Sequence, residues 1–145
     1  MSSSISIKEI SKENLPTIIP LVSQLNKDVP EMVLMDRLKN MLTKDFHCLG
    51  AYENNILVGV AGYWIGYRFW CGKYIDIDNF IVDENHRNKG IGKLLMKELA
   101  SIAKAQNCEI SVLDTYTQNH KSHKFYHQED FQIVGFHFCK KHKNH

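Results

Sequence analysis

Between Arg87 and Lys93 the chain sets three cations, Arg87, Lys89 and Lys93, around the closely spaced glycines Gly90 and Gly92. Cations make charge-assisted hydrogen bonds to phosphate oxygens. Glycine lets a backbone approach a ligand closely or take a positive φ. Upstream, Phe80, Ile81 and Val82 are strand formers. Downstream, Ile91, Leu94, Leu95, Leu99, Ile102 and Ala103 recur at helical spacing. The stretch from Asn79 to Lys93 therefore reads as a strand end, a loop and a helix start. The free N–H groups of a helix's first turn, with its dipole, favour an anion. The chemistry expected is a diphosphate cradle at a helix N-terminus; the bland alternative is an ordinary strand-to-helix turn. Two more specific phosphate motifs are excluded. The P-loop pattern Gly-x-x-x-x-Gly-Lys-Ser/Thr is absent, and Leu95 stands where a dinucleotide fingerprint needs its third glycine.

Other residues could carry proton chemistry. On regular strand parity Asp76, Asp78 and Phe80 share one face, so either carboxylate could act as a base, and a purely structural carboxylate fits as well. Tyr126 carries a phenol with a reference pKa of about 10 that stays protonated at neutral pH; alternatively it packs beside Phe125. His120, His123 and His127 fall at i, i+3 and i+7. That spacing can hold a metal, but a solvated helix face is the preferred reading and no metal is expected. Cys48, Cys71, Cys108 and Cys139 show no Cys-x-x-Cys spacing, which excludes the usual zinc and redox patterns. Tyr63, Trp64, Tyr67, Phe69 and Trp70 either line a pocket or fill the core, and core is preferred.

The elements that must position these residues follow from periodicity. The 145 residues carry a net charge of +2, which suggests one soluble domain with a 5–138 core and a basic tail at 139–145, and no nucleic-acid partner. No signal peptide or membrane-spanning run is evident, so no membrane partner and a reduced, cytoplasmic setting are the defaults. Met1 to Ser4 should fray. Ile5 and Ile7 alternate as a first strand. Ser11 is a candidate cap for a helix striped with Leu15, Ile18, Val22 and Leu25, which Pro20 should kink or delay. A second helix follows Pro30. Phe46 to Tyr52 and Ile56 to Tyr67 read as strands joined by a turn at Glu53-Asn54-Asn55. Gly72 precedes a third long strand, Lys73 to Val82. The central helix ends near Asn107, Ile110 to Leu113 is a strand, Asn119 to Gln128 a helix, and Phe131 to Phe138 a closing strand region. Hairpins followed by one strand–helix–strand crossover give an α+β chain with one parallel pair in a mixed sheet.

Two motifs together carry a family resemblance. Arg87-Asn88-Lys89-Gly90-Ile91-Gly92 resembles the acetyl-CoA pyrophosphate loop of the GCN5-related N-acetyltransferase (GNAT) family. Asn119 to Phe131 resembles that family's ending Asn-x-x-Ala-x-x-Phe-Tyr-x-x-x-Gly-Phe, with Ser122 at the alanine and Asp130 at the glycine. Asp tolerates the left-handed geometry that glycine supplies. The run His123 to Tyr126, with Gly135 to Phe138, is also similar to the aminoalkylphosphonate acetyltransferase branch.

The resemblance implies a mostly antiparallel central sheet with helices on both faces and a parallel pair that splays. It also implies acetyl-CoA as cosubstrate and direct acetyl transfer to a primary amine of a small molecule in a ternary complex. A non-catalytic acyl-CoA sensor and a protein lysine or N-terminal acetyltransferase are the alternatives, and a homodimer stays open. Cofactor contacts are implied at Phe80, Ile81, Val82, Arg87, Asn88, Lys89, Gly90, Ile91, Gly92, Lys93, Ser122 and Tyr126. Asn119 either bonds the pantetheine arm or only caps its helix. Tyr126 is the implied acid, and Asp78 the implied base, with Asp76 its competitor.

Overall fold

The computed structural model describes residues 4–143. Residues 1–3 of the end expected to fray, and 144–145 of the basic tail, lie outside them. The chain divides into two units, Met1–Leu113 and Asp114–His145.

The first unit is a sheet with helices on both faces. Its elements are β1 (Ile5–Glu9), a 3₁₀ turn (Lys12–Ile18), α1 (Ile19–Leu25), α2 (Glu31–Met41), β2 (His47–Glu53), β3 (Ile56–Arg68), β4 (Gly72–Val82), α3 (Ile91–Ala105) and β5 (Ile110–Leu113). The sheet order is β1-β2-β3-β4-β5. The first three pairings are antiparallel and β4–β5 is parallel, as a helical crossover requires. Local chemistry sets the breaks. Pro20 sits in the first turn of α1 and delays it behind the 3₁₀ segment. Asn54 and Asn55 both take positive φ, 51° and 64°, and turn β2 into β3. Asn107, at φ 58°, ends α3 while the Cys108 N–H donates to the Ala103 carbonyl. Ser11 holds the cap position of the 3₁₀ turn without a side-chain cap bond; its hydroxyl accepts from Asn14 instead.

On one sheet face Cys48, Val60 and Ile81 join Ile18, Val22, Leu34, Leu38 and Phe46 of the α1–α2 side in one buried cluster. On the other face Gly59 lies against Ile91 and Leu95 of α3, and Leu49, Ile75, Ile91, Leu95 and Leu99 are fully buried. Each such side chain contributes about 1.5–3 kcal/mol. The aromatic run departs from its expected place in the core. Tyr63 is buried and Trp64 partly so, but Tyr67, Phe69 and Trp70 stand exposed at the β3–β4 hairpin end.

The alternation of β4 is interrupted. Gly62 pairs with Asp78 and Val60 with Ile81, so Ala61 alone faces Asn79 and Phe80. This is a β-bulge, with Asn79 at φ 57°. Cross-strand partners share a face, so Ile81, and not Phe80, continues the face of Asp76 and Asp78. The regular parity expected for Asp76, Asp78 and Phe80 fails at that one extra residue.

In the second unit α4 runs His120–Gln128. Asp130 takes φ 68°, the left-handed geometry expected of it. The closing strands expected over Phe131 to Phe138 are absent: 131–141 carry neither helix nor strand. The apolar residues are present, but Ile133, Val134, Phe136 and Phe138 are exposed, and a strand exists only where a ladder partner takes its backbone groups.

Candidate active site

The site is built on the far end of β4. The parallel ladder to β5 stops at the pair Ile77–Leu113, yet β4 continues through Asp78, Asn79, Phe80, Ile81 and Val82 with only β3 as a neighbouring strand. Beyond that pair no ladder joins β4 and β5 among the described residues.

Past Val82 the chain turns into α3 through a braced loop. The Asp83 N–H donates to the Val58 carbonyl at 2.8 Å. Gln24, at the end of α1, donates from Nε2 to Asp83 Oδ1 at 3.0 Å and accepts at Oε1 from the Glu84 N–H at 3.2 Å. His86 Nδ1 lies 2.9 Å from Asp83 Oδ2. The Gln24 amide, with lesser help from His86, holds the Asp83 carboxyl below the usual carboxylate range. The backbone is left-handed at Asn88 and at Gly90, φ 64° and 79°. Gly90 is the N-cap of α3, and no side chain caps the helix, so its first-turn N–H groups have no capping oxygen. A Cβ at Gly90 would meet nothing within 4 Å, so the approach to this turn is open.

The three cations are not equivalent. Arg87 Nε donates to the Val82 carbonyl at 3.3 Å. Lys89 reaches back to Glu53 at 3.5 Å, while the other carboxylate oxygen of Glu53 is buried without a hydrogen-bond partner. Lys93, in the first turn of α3, makes no ion pair among the described residues.

On the α1–α2 face, a cavity of about 230 Å³ opens beside the bulge. Its walls include Val22, Leu34, Leu38 and Phe46, with Arg37, Asp78 and Asn79 supplying polar groups. Trp64 Nε1 donates to Asp78 Oδ2 at 3.1 Å, fixing that carboxylate. Asp76 lies on the same face but its Oδ2 is 3.6 Å from Arg68. A larger hollow of about 750 Å³ lies on the opposite face, near the C-terminal end of α3. There Tyr63 donates to Glu9, and Glu9 lies 3.7 Å from His47. Burial, more than that bond, raises the Tyr63 phenol. This hollow borders Ile102 and Gln106, the far end of the helix from Gly90.

Within the second unit, Asn119 caps α4, its side-chain oxygen accepting from the Ser122 N–H at 3.2 Å. Tyr126 packs edge-on to Phe125 and Phe131, and burial pushes its phenol up to about 12. The His120 and His123 rings meet edge to face, 5.7 Å apart, but no group of three possible metal ligands gathers among the described residues. His123 Nε2 is 2.8 Å from the Tyr116 carbonyl and His127 Nδ1 3.1 Å from the Phe131 carbonyl.

Sequence reasoning missed Gln24, Arg37 and Asn79. Gln24 sits 59 residues from Asp83, and a lone glutamine on an amphipathic helix gives no signal. Nothing in the sequence marks Asn79 as the bulge.

A profile of the acetyltransferase (GNAT) family matches residues 13–131. A spermine/spermidine N(1)-acetyltransferase of Bacillus subtilis is 26% identical over 147 aligned positions, covering 91% of this chain and 90% of its own. A thialysine N-epsilon-acetyltransferase of Mus musculus is 27% identical over 96, covering 59% of this chain and 56% of its own. A human spermidine/spermine N(1)-acetyltransferase-like protein is 28% identical over 116, covering 70% of this chain. The chain spans 17% of that human protein and about half of the thialysine enzymes it matches. An aminoglycoside N-acetyltransferase solved with CoA superimposes with a TM-score of 0.83 at 20% identity, covering 99% of this chain and 98% of its own. These structures share the fold.

The Gln24 brace is testable without any ligand. A hydrogen bond to a charged group contributes about 1.5–3 kcal/mol. Gln24→Leu should therefore speed amide exchange across 84–90 by about tenfold or more, with little change in exchange of β2 and β3. Unchanged exchange in the loop would show that the brace does not hold it.

Proposed function

Because this chain belongs to the GNAT acetyltransferase family, we propose that it transfers the acetyl group of acetyl-CoA to the primary amine of a small molecule within a ternary complex. The observation that carries this reading is the double use of the end of β4. One side of it leads into the uncapped, glycine-entered start of α3, and the other side presents Asp78 to a separate small cavity. Two cosubstrates could thus meet across a single strand. Small-molecule relatives that act on spermine, spermidine and thialysine support an amine acceptor. The chain's modest cavity favours a small acceptor over a protein chain.

In this mechanism the N–H groups of Ile91, Gly92 and Lys93, with Arg87 and Lys93 beside them, hold the diphosphate. Asn88, Lys89 and Gly90 shape the turn. The backbone of Phe80 to Val82 aligns the pantetheine arm and thioester, and an N–H there stabilises the developing oxyanion. The family resemblance gives Asn119 and Ser122 a contact with the same arm. The acceptor arrives as an ammonium ion with a pKa of about 10. It loses a proton to water relayed by Asp78, and the free amine attacks the thioester carbonyl. The C–N bond forms, the C–S bond breaks, and a second proton leaves the nitrogen. The family resemblance gives Tyr126 the role of partner to the departing sulfur. Its phenol, near 12, is a weaker acid than a thiol at about 8.5. Tyr126 therefore donates a hydrogen bond to the thiolate, and solvent supplies the net proton.

Gly92→Val places a branched side chain in the first turn of α3. Isothermal titration should show a large loss of acetyl-CoA affinity with the circular dichroism spectrum preserved; unchanged affinity would remove the cradle assignment.

Tyr126→Phe should lower kcat by about 10–100-fold, the worth of one hydrogen bond to a charged group. The wild-type rate should show no downward limb from this phenol until near pH 12. Equal kcat in mutant and wild type would leave Tyr126 a packing residue.

Asp78→Asn should lower kcat/KM at neutral pH, with the deficit shrinking at high pH as free amine accumulates without help. Asp76→Asn is the control, because Arg68 already engages that carboxylate. A pH-dependent loss in the Asp76 variant alone would move the base one strand step; no loss in either would send the proton directly to solvent.

A further inference from the structure

Of the three cations around the turn into α3, Lys89 alone is paired with a carboxylate among the described residues. Its Nζ lies 3.5 Å from Glu53 Oε1. Lys89 stands between two left-handed residues, Asn88 and Gly90, and its side chain reaches back to the last residue of β2. Glu53 is held there from both neighbouring strands. It pairs with Ile5 of β1 and Ile56 of β3, just past the point where the β2–β3 register shifts. Its side chain is 13% exposed, against 46% for Lys89, and its second carboxylate oxygen is buried without a hydrogen-bond partner. Lys89 therefore faces a carboxylate that has lost most of its water.

That pairing works against a diphosphate. A desolvated carboxylate is costly to leave without its counter-charge. If Lys89 turned fully toward phosphate oxygens, Glu53 would stay behind uncompensated. The gain of a charge-assisted bond to phosphate is then offset by the loss at Glu53. Lys93 makes no ion pair among the described residues, so it can serve the anion without this penalty. Acetyl-CoA and CoA carry the same diphosphate, so the loop holds the product as it holds the substrate. Product release sets kcat in many enzymes.

We propose that Glu53 is a positioning residue that tethers Lys89 and weakens the loop's hold on the cofactor diphosphate, so that CoA leaves faster after acetyl transfer. This rests on the acetyl-CoA reading of the loop and adds to it a residue that acts only through Lys89.

The test is CoA binding by the full chain. Glu53→Gln keeps the side chain's shape and removes its charge. Calorimetry should show CoA bound about fivefold more tightly, the upper end for a partly exposed ion pair. The gain should appear as slower dissociation in stopped-flow displacement. Lys89→Met decides whether Lys89 carries the effect. In that background Glu53→Gln should change CoA affinity by less than about twofold, because the partner it acts through is gone. An equal gain with and without Lys89 would show the carboxylate acting by its own field, and overturns the tether. Unchanged or weaker CoA binding in folded Glu53→Gln also overturns it, and would make Glu53 a support of the loop. Should Glu53→Gln not fold by circular dichroism, Glu53→Met, an unbranched apolar chain of similar length, is read in the same way. If the wild type binds neither acetyl-CoA nor CoA, the cofactor reading fails on its own account, and inorganic pyrophosphate is titrated instead. Tighter pyrophosphate binding in Glu53→Gln than in the wild type upholds the tether; equal, weaker or absent binding overturns it.

Discussion

The bulge at Asn79 is the constraint on which the rest of the first unit depends. A strand alternates its side chains without exception unless a residue is inserted. Here Ala61 faces both Asn79 and Phe80. Upstream of that point Asp76 and Asp78 look toward the α1–α2 side. Downstream, Ile81 returns to that same side and is buried in its cluster. Without the extra residue, Asp78 and Ile81 would lie on opposite faces, and the core could not close beside a carboxylate-lined cavity. The neighbourhood is packed to hold this arrangement. A Cβ at Gly62 would come within 2.6 Å of the Asp78 carbonyl oxygen and 2.8 Å of the Phe46 ring. Phe46 in turn lies 5.1 Å from the Trp64 ring, and Trp64 donates to Asp78. The position of one carboxylate is thus fixed by a glycine, two aromatic rings and a bulge.

The loop that follows is fixed by polar contacts. Asp83 is held by Gln24, His86 and the Val58 carbonyl, which ties the entry of α3 to the end of α1. Its folded-state pKa is depressed. Such a group contributes stability that is fully present above its unfolded value of about 3.9. The contribution is lost as pH falls through the lower, folded value. At neutral pH the brace is at full strength. The loop's electrostatics are also graded: Lys89 is drawn toward Glu53, while Lys93 stays in the first turn of α3. An anion arriving at this turn would meet Lys93 directly, and Lys89 only in competition with a carboxylate.

Much of this was legible because the relevant signals are local. Positive φ at Asn54, Asn55, Asn107 and Asp130 follows from what Asn and Asp tolerate, and Pro20 announced the delayed start of α1. The Arg87–Gly92 loop could be read because glycine spacing and flanking cations state their chemistry within a few residues. The parity of β4 could not be read, because a bulge depends on the partner strand and leaves no mark at Asn79. Tyr67, Phe69 and Trp70 look like core by type, but they fall at the β3–β4 turn, and residue type does not report where a hairpin turns. The residues 131–138 have a strand's composition, and composition cannot supply a ladder. Gln24 and Arg37 were invisible for a related reason: each matters for what lies opposite in space, and a single sequence says nothing about that.

The placement of the two charged cavity residues follows from the fold itself. Asp78 comes from the strand, and its position is as rigid as the sheet. Arg37 comes from α2, whose buried Leu34 and Leu38 pin the helix to the same cluster that contains Ile81. Arg37 precedes Leu38 directly, so packing that helix into the core also sets where its guanidinium can reach. On the acetyltransferase reading, the reacting end of the acceptor is governed by the rigid strand, while a long, flexible side chain borders another part of the cavity. Strict geometry at the amine and latitude elsewhere in the cavity would then arise from one packing arrangement. Substitutions on the buried face of α2 would be expected to alter acceptor choice before they alter the chemistry at the thioester.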